Sequence, residues 1–390
     1  MAYSGYNFLY MKLGDLLNRG NLKTARLNAG LLTMDVSRKI STKEEDVVFL
    51  WENGDDLPTF KQVEKIATMY QVSVSVMFSA KDIKQREKLP DYRTGDKKKG
   101  VDKINKLINL VSNRQSWIES RLKQDGVGRN KLIGLGKSIT KPEELADLIV
   151  KKLKIDHKKI QSFSDYSGRN KALVYLTSLL EDKYIFVSKT LAEHRIEVEE
   201  MRGLFMANAY APFIVVNRRD AKAAQIFTLM HEVAHLFRNT EGISTADFRT
   251  LKKVSKASKE NEEVFCNKVA AEILIPRSFV KNMYYYEGDI NELARKFKVS
   301  SIFTFYRLKS LGRIDGDQSK VIENNLKRES AEGLSEKKLR EEGKIKGNYY
   351  NNIKGTNGRL FNDLVYNHYF DNNIGYSEAT RLLRCSVDRV

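Results

Sequence analysis

The sequence predicts an α+β chain, mostly α-helical and multidomain, in which a small sheet meets a pair of metal-binding helices. Three observations predict it. Apolar residues recur at three- and four-residue steps along most of the chain, the period of a helix with one buried face. That period breaks between Tyr184 and Asn217, where short β-branched and aromatic runs read as strands. Beyond the last of these runs stands His231-Glu232-Val233-Ala234-His235, an H-E-x-x-H pattern, followed further on by an acid-bearing helix.

Composition sets the outer bounds. A length of 390 residues leaves room for about two to four domains, and an apolar fraction of 41% sustains ordinary cores. The two cysteines, Cys266 and Cys385, imply no disulfide framework and fit a reducing, cytoplasmic setting. The first residues lack the basic start and apolar core of a signal peptide, and no run approaches the ~20 apolar residues of a membrane span. No membrane partner is expected. A net charge of +18 permits nucleic-acid contact, yet the excess is diffuse: residues 1–100 hold 17 Lys and Arg against 13 Asp and Glu.

Residues 1–80 read as the first domain, with five short helices from residue 21 onward. Gly30 closes the first, Thr33 caps a second running to Ile40, and Ser41 or Thr42 caps a third from Lys43 to Glu52, ended by Asn53-Gly54. Pro58 opens a fourth, with Phe60, Val63, Ile66, Ala67 and Tyr70 at helical spacing, and Val72 to Phe78 supplies the fifth. The Ala29-Gly30-Leu31 turn, Trp51 to Gly54, and Leu57-Pro58-Thr59 resemble the XRE-type helix-turn-helix domain. The resemblance makes Lys43 to Leu50 the recognition helix. Glu44, Glu45 and Asp46 in its first turns oppose phosphate contact, so DNA binding competes with a protein-recognition role.

Residues 81–103 form a polar linker, and residues 104–315 the next domain. Ile104, Leu107, Ile108, Val111, Trp117 and Ile118 mark a helix over residues 101–124, and Pro142 opens another through Ile149. Tyr184 to Val187, Glu199 to Met206 and Ala211 to Asn217 follow as strands. Pro212 suits an edge strand, where an extended peptide can add itself to the sheet; the plainer reading is that it ends an ordinary strand.

The chemistry gathers next. His231 and His235 lie one helical turn apart and can grip one metal ion from the same side, while Glu232 reaches a water on that ion. Asp220 caps the helix that carries them, and Asn239 and Gly242 break it. Ile226, Leu229, Met230, Val233, Leu236 and Phe237 share one side of it, leaving Thr228 and the two histidines facing a cleft. A catalytic site wants a third protein ligand. Glu262 and Glu263, on a helix stopped by Pro276, are about 100° apart and cannot both face the metal. Glu263 shares its side with the small residues Cys266, Asn267 and Ala270, which favours it; Glu262, beside Phe265 and Val269, is the alternative. Cys266 reads as a small core residue, with a redox lever on the metal as the less favoured role.

Ile226 to His235, then Glu263 to Asn267 with Ala270 to Pro276, resemble the ImmA/IrrE family of metallopeptidases. Leu89 to Thr94 and Ala211 to Asn217 are similar to that family's fusions of a peptidase domain to an XRE domain, and the likeness spans about residues 20–315. The resemblance implies a zincin-like core, His231, His235 and Glu263 as ligands, and Glu232 as general base. It implies Zn2+, with Mn2+ or another divalent metal as the alternative. As substrate it implies an XRE-type transcriptional repressor, cut to release transcription.

Asp289 to Gly312 looks like a further helix-turn-helix unit with a packing role, and Tyr306 and Arg307 read as an exposed helix face. Residues 316–345 read as a charged helical linker. Residues 346–390 read as a small helical domain, its aromatics including Tyr349, Tyr350, Phe361, Tyr369 and Phe370. The expected function is metal-dependent endopeptidase; the alternative is a helix-turn-helix transcriptional regulator or antitoxin with a structural or idle metal site.

Overall fold

The computed structural model describes residues 16–41, 45–70, 72–85, 100–164, 167–191, 195–244, 249, 251, 258–280, 287–314, 316, 318–328 and 355–387. They fall into two compact units, the first within residues 1–88 and 100–117, the second within residues 118–390. None of the described helices is long and apolar enough to cross a membrane.

The first unit packs α1 (Arg19–Asn28), α2 (Thr33–Ile40), α3 (Val47–Asn53), α4 (Phe60–Tyr70) and α5 (Val74–Met77) around Leu22, Val36, Val48, Trp51, Val63, Ile66 and Tyr70. α3 starts at Val47, later than the expected Lys43, with Asp46 as its cap. One Asp46 oxygen accepts the Thr33 hydroxyl, and the other accepts Ser37 Oγ at 2.7 Å and the Phe49 N–H at 3.2 Å. Thr33 therefore serves the neighbouring helix rather than capping its own. Thr42, Lys43 and Glu44 lie outside the described residues. Gly54, at φ 94°, closes α3 as expected. Pro58 precedes α4 without opening it. Instead Thr59 and Gln62 close a reciprocal box, Thr59 N donating to Gln62 Oε1 at 2.7 Å and Gln62 N to Thr59 Oγ1 at 3.3 Å.

After α6 (Val101–Gln124), α7 (Pro142–Leu153) begins at its proline, as read, and runs past Ile149. Two helices that the periodicity left unmarked follow, α8 (His157–Ser162) and α9 (Gly168–Glu181). The sheet holds β1 (Phe186–Lys189), β2 (Gly203–Met206), β3 (Phe213–Val216) and β4 (Gly242–Ser244) in the order β1-β3-β2-β4. β1 is parallel to β3, and the other pairings are antiparallel, so the architecture is α+β with a small mixed sheet. β3 is interior, which overturns the edge-strand expectation. The proline rule concerns only the missing N–H, and Pro212 joins the ladder through its carbonyl, which accepts Phe186 N–H at 2.9 Å. Gly242, expected only to break a helix, starts β4.

α10 (Lys222–Arg238) runs through the main core and α11 (Ser258–Leu274) packs along it, with α12 (Glu287–Phe297) and α13 (Ser301–Ser310) beyond. Arg307 on α13 is not exposed. It is buried, its guanidinium pairs with Glu272, and its Nε donates to Ile275 O at 3.1 Å. Tyr306 is half-buried and donates to Glu323 at 2.7 Å. α14 (Arg359–Phe370) and α15 (Tyr376–Leu383) belong to the second unit. Leu360 N–H donates at 3.1 Å to the buried Glu181 carboxylate, which also faces Arg359 at 3.3 Å. Residues 319–328 are helical; Tyr349 and Tyr350 lie outside the described residues.

Candidate metal centre

α10 opens without a side-chain cap. Asp220 does not cap it: its carboxylate takes Arg202 at 2.8 Å, while the Gln225 amide ties the start down by donating to Asp220 O at 2.7 Å and Arg218 O at 3.2 Å. Asn239, left-handed at φ 57°, ends the helix. From Gln225 to Phe237 every residue is buried, so the helix has no polar face toward solvent. His231 and His235 are enclosed, at 0% and 2% exposure, rather than facing an open cleft.

α11 brings Glu263 against them. His231 Nε2 lies 3.3 Å from Glu263 Oε2, His235 Nε2 lies 3.0 Å from Oε1, and the two Nε2 atoms are 3.0 Å apart. Glu262 points elsewhere. Its carboxylate pairs twice with Arg238, at 2.9 and 3.1 Å, and Arg238 also donates to Lys137 O and Ile139 O, both at 2.8 Å. A second possible cluster, His235 with Glu262 and Cys266, is therefore the weaker one: its carboxylate is neutralised by arginine. Burial pushes the Cys266 thiol up to about 11, so it sits there as a neutral core group.

Hydrogen bonding decides how His235 presents itself. Thr240 Oγ1 lies 2.8 Å from His235 Nδ1 and donates toward Glu262 Oε1 at 3.4 Å. A carboxylate only accepts, so Nδ1–H must donate to the hydroxyl, which makes Nε2 the nitrogen turned to the other two candidate ligands. Burial alone would raise the Glu263 carboxyl, but the two imidazoles hold it down at about 2. The two nitrogens and the ionised carboxylate thus form a compact triangle: the nitrogens are 3.0 Å apart, one carboxylate oxygen lies 3.3 Å from His231 Nε2 and the other 3.0 Å from His235 Nε2. Tetrahedral ligands at roughly 2.0–2.1 Å from a zinc-sized ion stand about 3.3–3.4 Å from one another. The triangle fits a small divalent cation, and the N, N, O donor set suits one.

Residues 171–309 match the IrrE N-terminal-like domain, a peptidase family. The chain matches no curated protein and no solved structure. The matched residues take in the four described strands, α10, α11, α12 and nearly all of α13, so both helices of the candidate metal centre lie inside the match. It gives this chain a metallopeptidase-type function, and a divalent metal goes with that chemistry.

Within the matched residues, Glu232 lies wholly buried, and burial raises its carboxyl above the usual range while His231 and His235 pull it back. One of its oxygens accepts the Ser244 hydroxyl; the other has no hydrogen-bond partner among the described residues. A β-carbon on Gly203 would stand 2.2 Å from the first of these oxygens. Ser244 and Gly203 were missed by the sequence reading, since no spacing along the chain announces a contact made by strand pairing.

Proposed function

We propose that this chain is a cytoplasmic zinc endopeptidase that cuts an XRE-type transcriptional repressor and so relieves repression. His231, His235 and Glu263 hold the ion, and Glu232 is the general base. The observation that carries the reading is the convergence of those three ligand atoms beside a buried carboxylate, inside a matched metallopeptidase domain. When bound, a divalent ion at this site polarises the scissile carbonyl and brings a water's pKa toward neutrality. Glu232 takes the proton of the attacking water and passes it to the leaving amine. Its burial supports that work, because a carboxyl raised above the usual range is a stronger base than an exposed one. β4 ends the sheet among the described strands, and its outer edge offers the backbone groups to which a substrate segment can add as one more strand. β3, being interior, does not.

The helical unit ahead of the peptidase domain serves recognition in this reading, of protein rather than DNA. Residues 45–60 hold no Lys or Arg; of their acids Glu52 is enclosed in a pair with Arg26 and Asp46 is committed to Thr33 and Ser37, which leaves Glu45 and Asp55 exposed. Leu32 and Phe49 are exposed at 68% and 52%. An acidic, apolar face repels phosphate and suits another protein.

The test is co-expression of the chain with an XRE-type repressor, followed by gel analysis and metal analysis of the purified enzyme. The wild type cuts the repressor; Glu232→Gln retains about one metal per chain and cuts nothing. Equal cleavage by both would overturn the mechanism. Intact repressor together with salt-sensitive, metal-independent operator binding would favour a helix-turn-helix regulator with an idle metal site.

A further inference from the structure

Gly203 on β2 and Ser244 on β4 are directly opposite partners in the antiparallel ladder. Such partners project to the same face of a sheet, here the face that meets α10. Ser244 is 1% exposed, and its hydroxyl donates to Glu232 Oε1. Gly203 presses on the same atom from its side of the rung. A β-carbon there would lie 2.2 Å from Oε1, 2.9 Å from the carboxyl carbon and 2.6 Å from Thr228 Cγ2. Those separations are impossible for real atoms, so glycine is what lets the carboxylate occupy the notch. Oε2 remains buried with no partner among the described residues.

We propose that the Gly203–Ser244 rung positions the catalytic base: serine fixes one oxygen of Glu232, glycine makes the space for it, and the second oxygen is left as the one that exchanges protons. The inference rests on the endopeptidase reading for its catalytic meaning, though not for the contact itself. A glutamate carboxylate, on three rotatable bonds, can turn either oxygen toward a reacting water or away from it. Anchoring Oε1 removes that freedom before substrate arrives, which is where a positioned base gains over a free one. Ser244 touches neither metal nor substrate in this role. It acts through Glu232, so its loss appears in turnover and not in binding. β4 is one of the two edge strands of the described sheet, so in the proposed reading the strand that fixes the base is also one to which a substrate could add.

The experiment compares Ser244→Ala, Ser244→Thr and Gly203→Ala in the full-length chain, using the XRE-type repressor of the co-expression assay as substrate. Ser244→Ala lowers kcat about 10- to 100-fold, the usual effect of removing an outer partner of a catalytic group, while KM and metal content stay unchanged. Ser244→Thr, which keeps the hydroxyl, recovers most of the loss. Gly203→Ala loses turnover at least as severely. A second readout needs no activity. In the metal-free protein, Ser244→Ala lowers Tm by about 2–4 °C, and the same change made in a Glu232→Ala background has no such effect, because the partner is already gone. An equal Tm loss in both backgrounds, or a threonine as damaging as the alanine, would overturn the proposal. A wild type that cuts no repressor while the Tm cycle remains coupled would sink the peptidase reading and leave the Ser244–Glu232 contact standing.

Discussion

Substituting Glu263 and Glu262 separately discriminates sharply between two adjacent acids that look interchangeable in sequence. Glu263→Gln exchanges the one ionised group of the candidate ligand set, whose oxygens lie 3.0 and 3.3 Å from the two imidazole Nε2 atoms, for a neutral amide that ligates weakly. Structural zinc sites bind with about 10–16 kcal/mol, so each of four positions accounts for about 2.5–4 kcal/mol, or roughly 100- to 1000-fold in affinity. Glu262→Gln acts only at a distance, through Thr240 at 3.4 Å and from there to His235 Nδ1 at 2.8 Å. Outer partners of this kind are worth about 10- to 100-fold, and a contact as long as this belongs at the lower end. Its larger effect falls on stability, because Arg238 loses its ion pair and one of the two side-chain acceptors, keeping the amide oxygen and the Lys137 and Ile139 carbonyls. The assay is competition for Zn2+ against a chromophoric chelator, with melting of each metal-free variant alongside. Expected is a zinc affinity lowered about 100-fold or more for Glu263→Gln, and about 10-fold for Glu262→Gln with a lower Tm. If Glu262→Gln costs as much zinc affinity as Glu263→Gln, the ligand assignment fails.

Two further outcomes follow from contacts elsewhere in the second unit. Gly358 sits at φ 90°, and a β-carbon there would lie 2.1 Å from Val187 O, so Gly358→Ala should cost about 1–3 kcal/mol and lower Tm by several degrees in calorimetry; an unchanged Tm would refute the close approach of α14 to β1. Glu323 is held at about 2 by hydrogen bonds from Lys327 and Tyr306, against some opposing burial. A folded pKa below the unfolded one adds stability that is present above the usual carboxylate range and is lost as pH falls toward 2. Glu323→Gln should therefore flatten the stability curve between about pH 4.5 and 2, measured by denaturant titration at several pH values, and leave the slope above pH 6 unaltered.

How much of this was legible in the chain depends on whether each constraint is local. His231, Glu232 and His235 are bound together by a single helical turn, which any reading of period can see. Glu263 could be preferred over Glu262 because neighbours at helical spacing reveal which side is small enough for close packing. The acids at the start of α3 were half legible. Their opposition to phosphate is visible in composition, but Asp46 turns out to be committed to Thr33, Ser37 and Phe49 N–H, so its first duty is to join two helices. The cap on α10 was misread because a glutamine side chain reaching back across several residues does the work that an aspartate was expected to do.

Ladder register was the part that stayed hidden, and it is also the part that aims the chemistry. β4 has three residues, too few to show alternation, and its glycine reads locally as a helix stop. The pairing that sets Ser244 opposite Gly203 depends on where two separated segments meet, and a slip of β4 by one residue would turn the Ser244 side chain to the other face. Metal ligands can be inferred from the period of one helix and the small face of another. The hydroxyl that holds the base cannot, because its placement is a property of the sheet. A chain that kept every residue of the H-E-x-x-H turn but shifted β4 by one position would retain the ligands on α10 and α11 and lose the anchored oxygen of Glu232. The integrity of that rung, more than the presence of the motif, is therefore what should separate an active enzyme of this architecture from a metal-binding relative with an idle site.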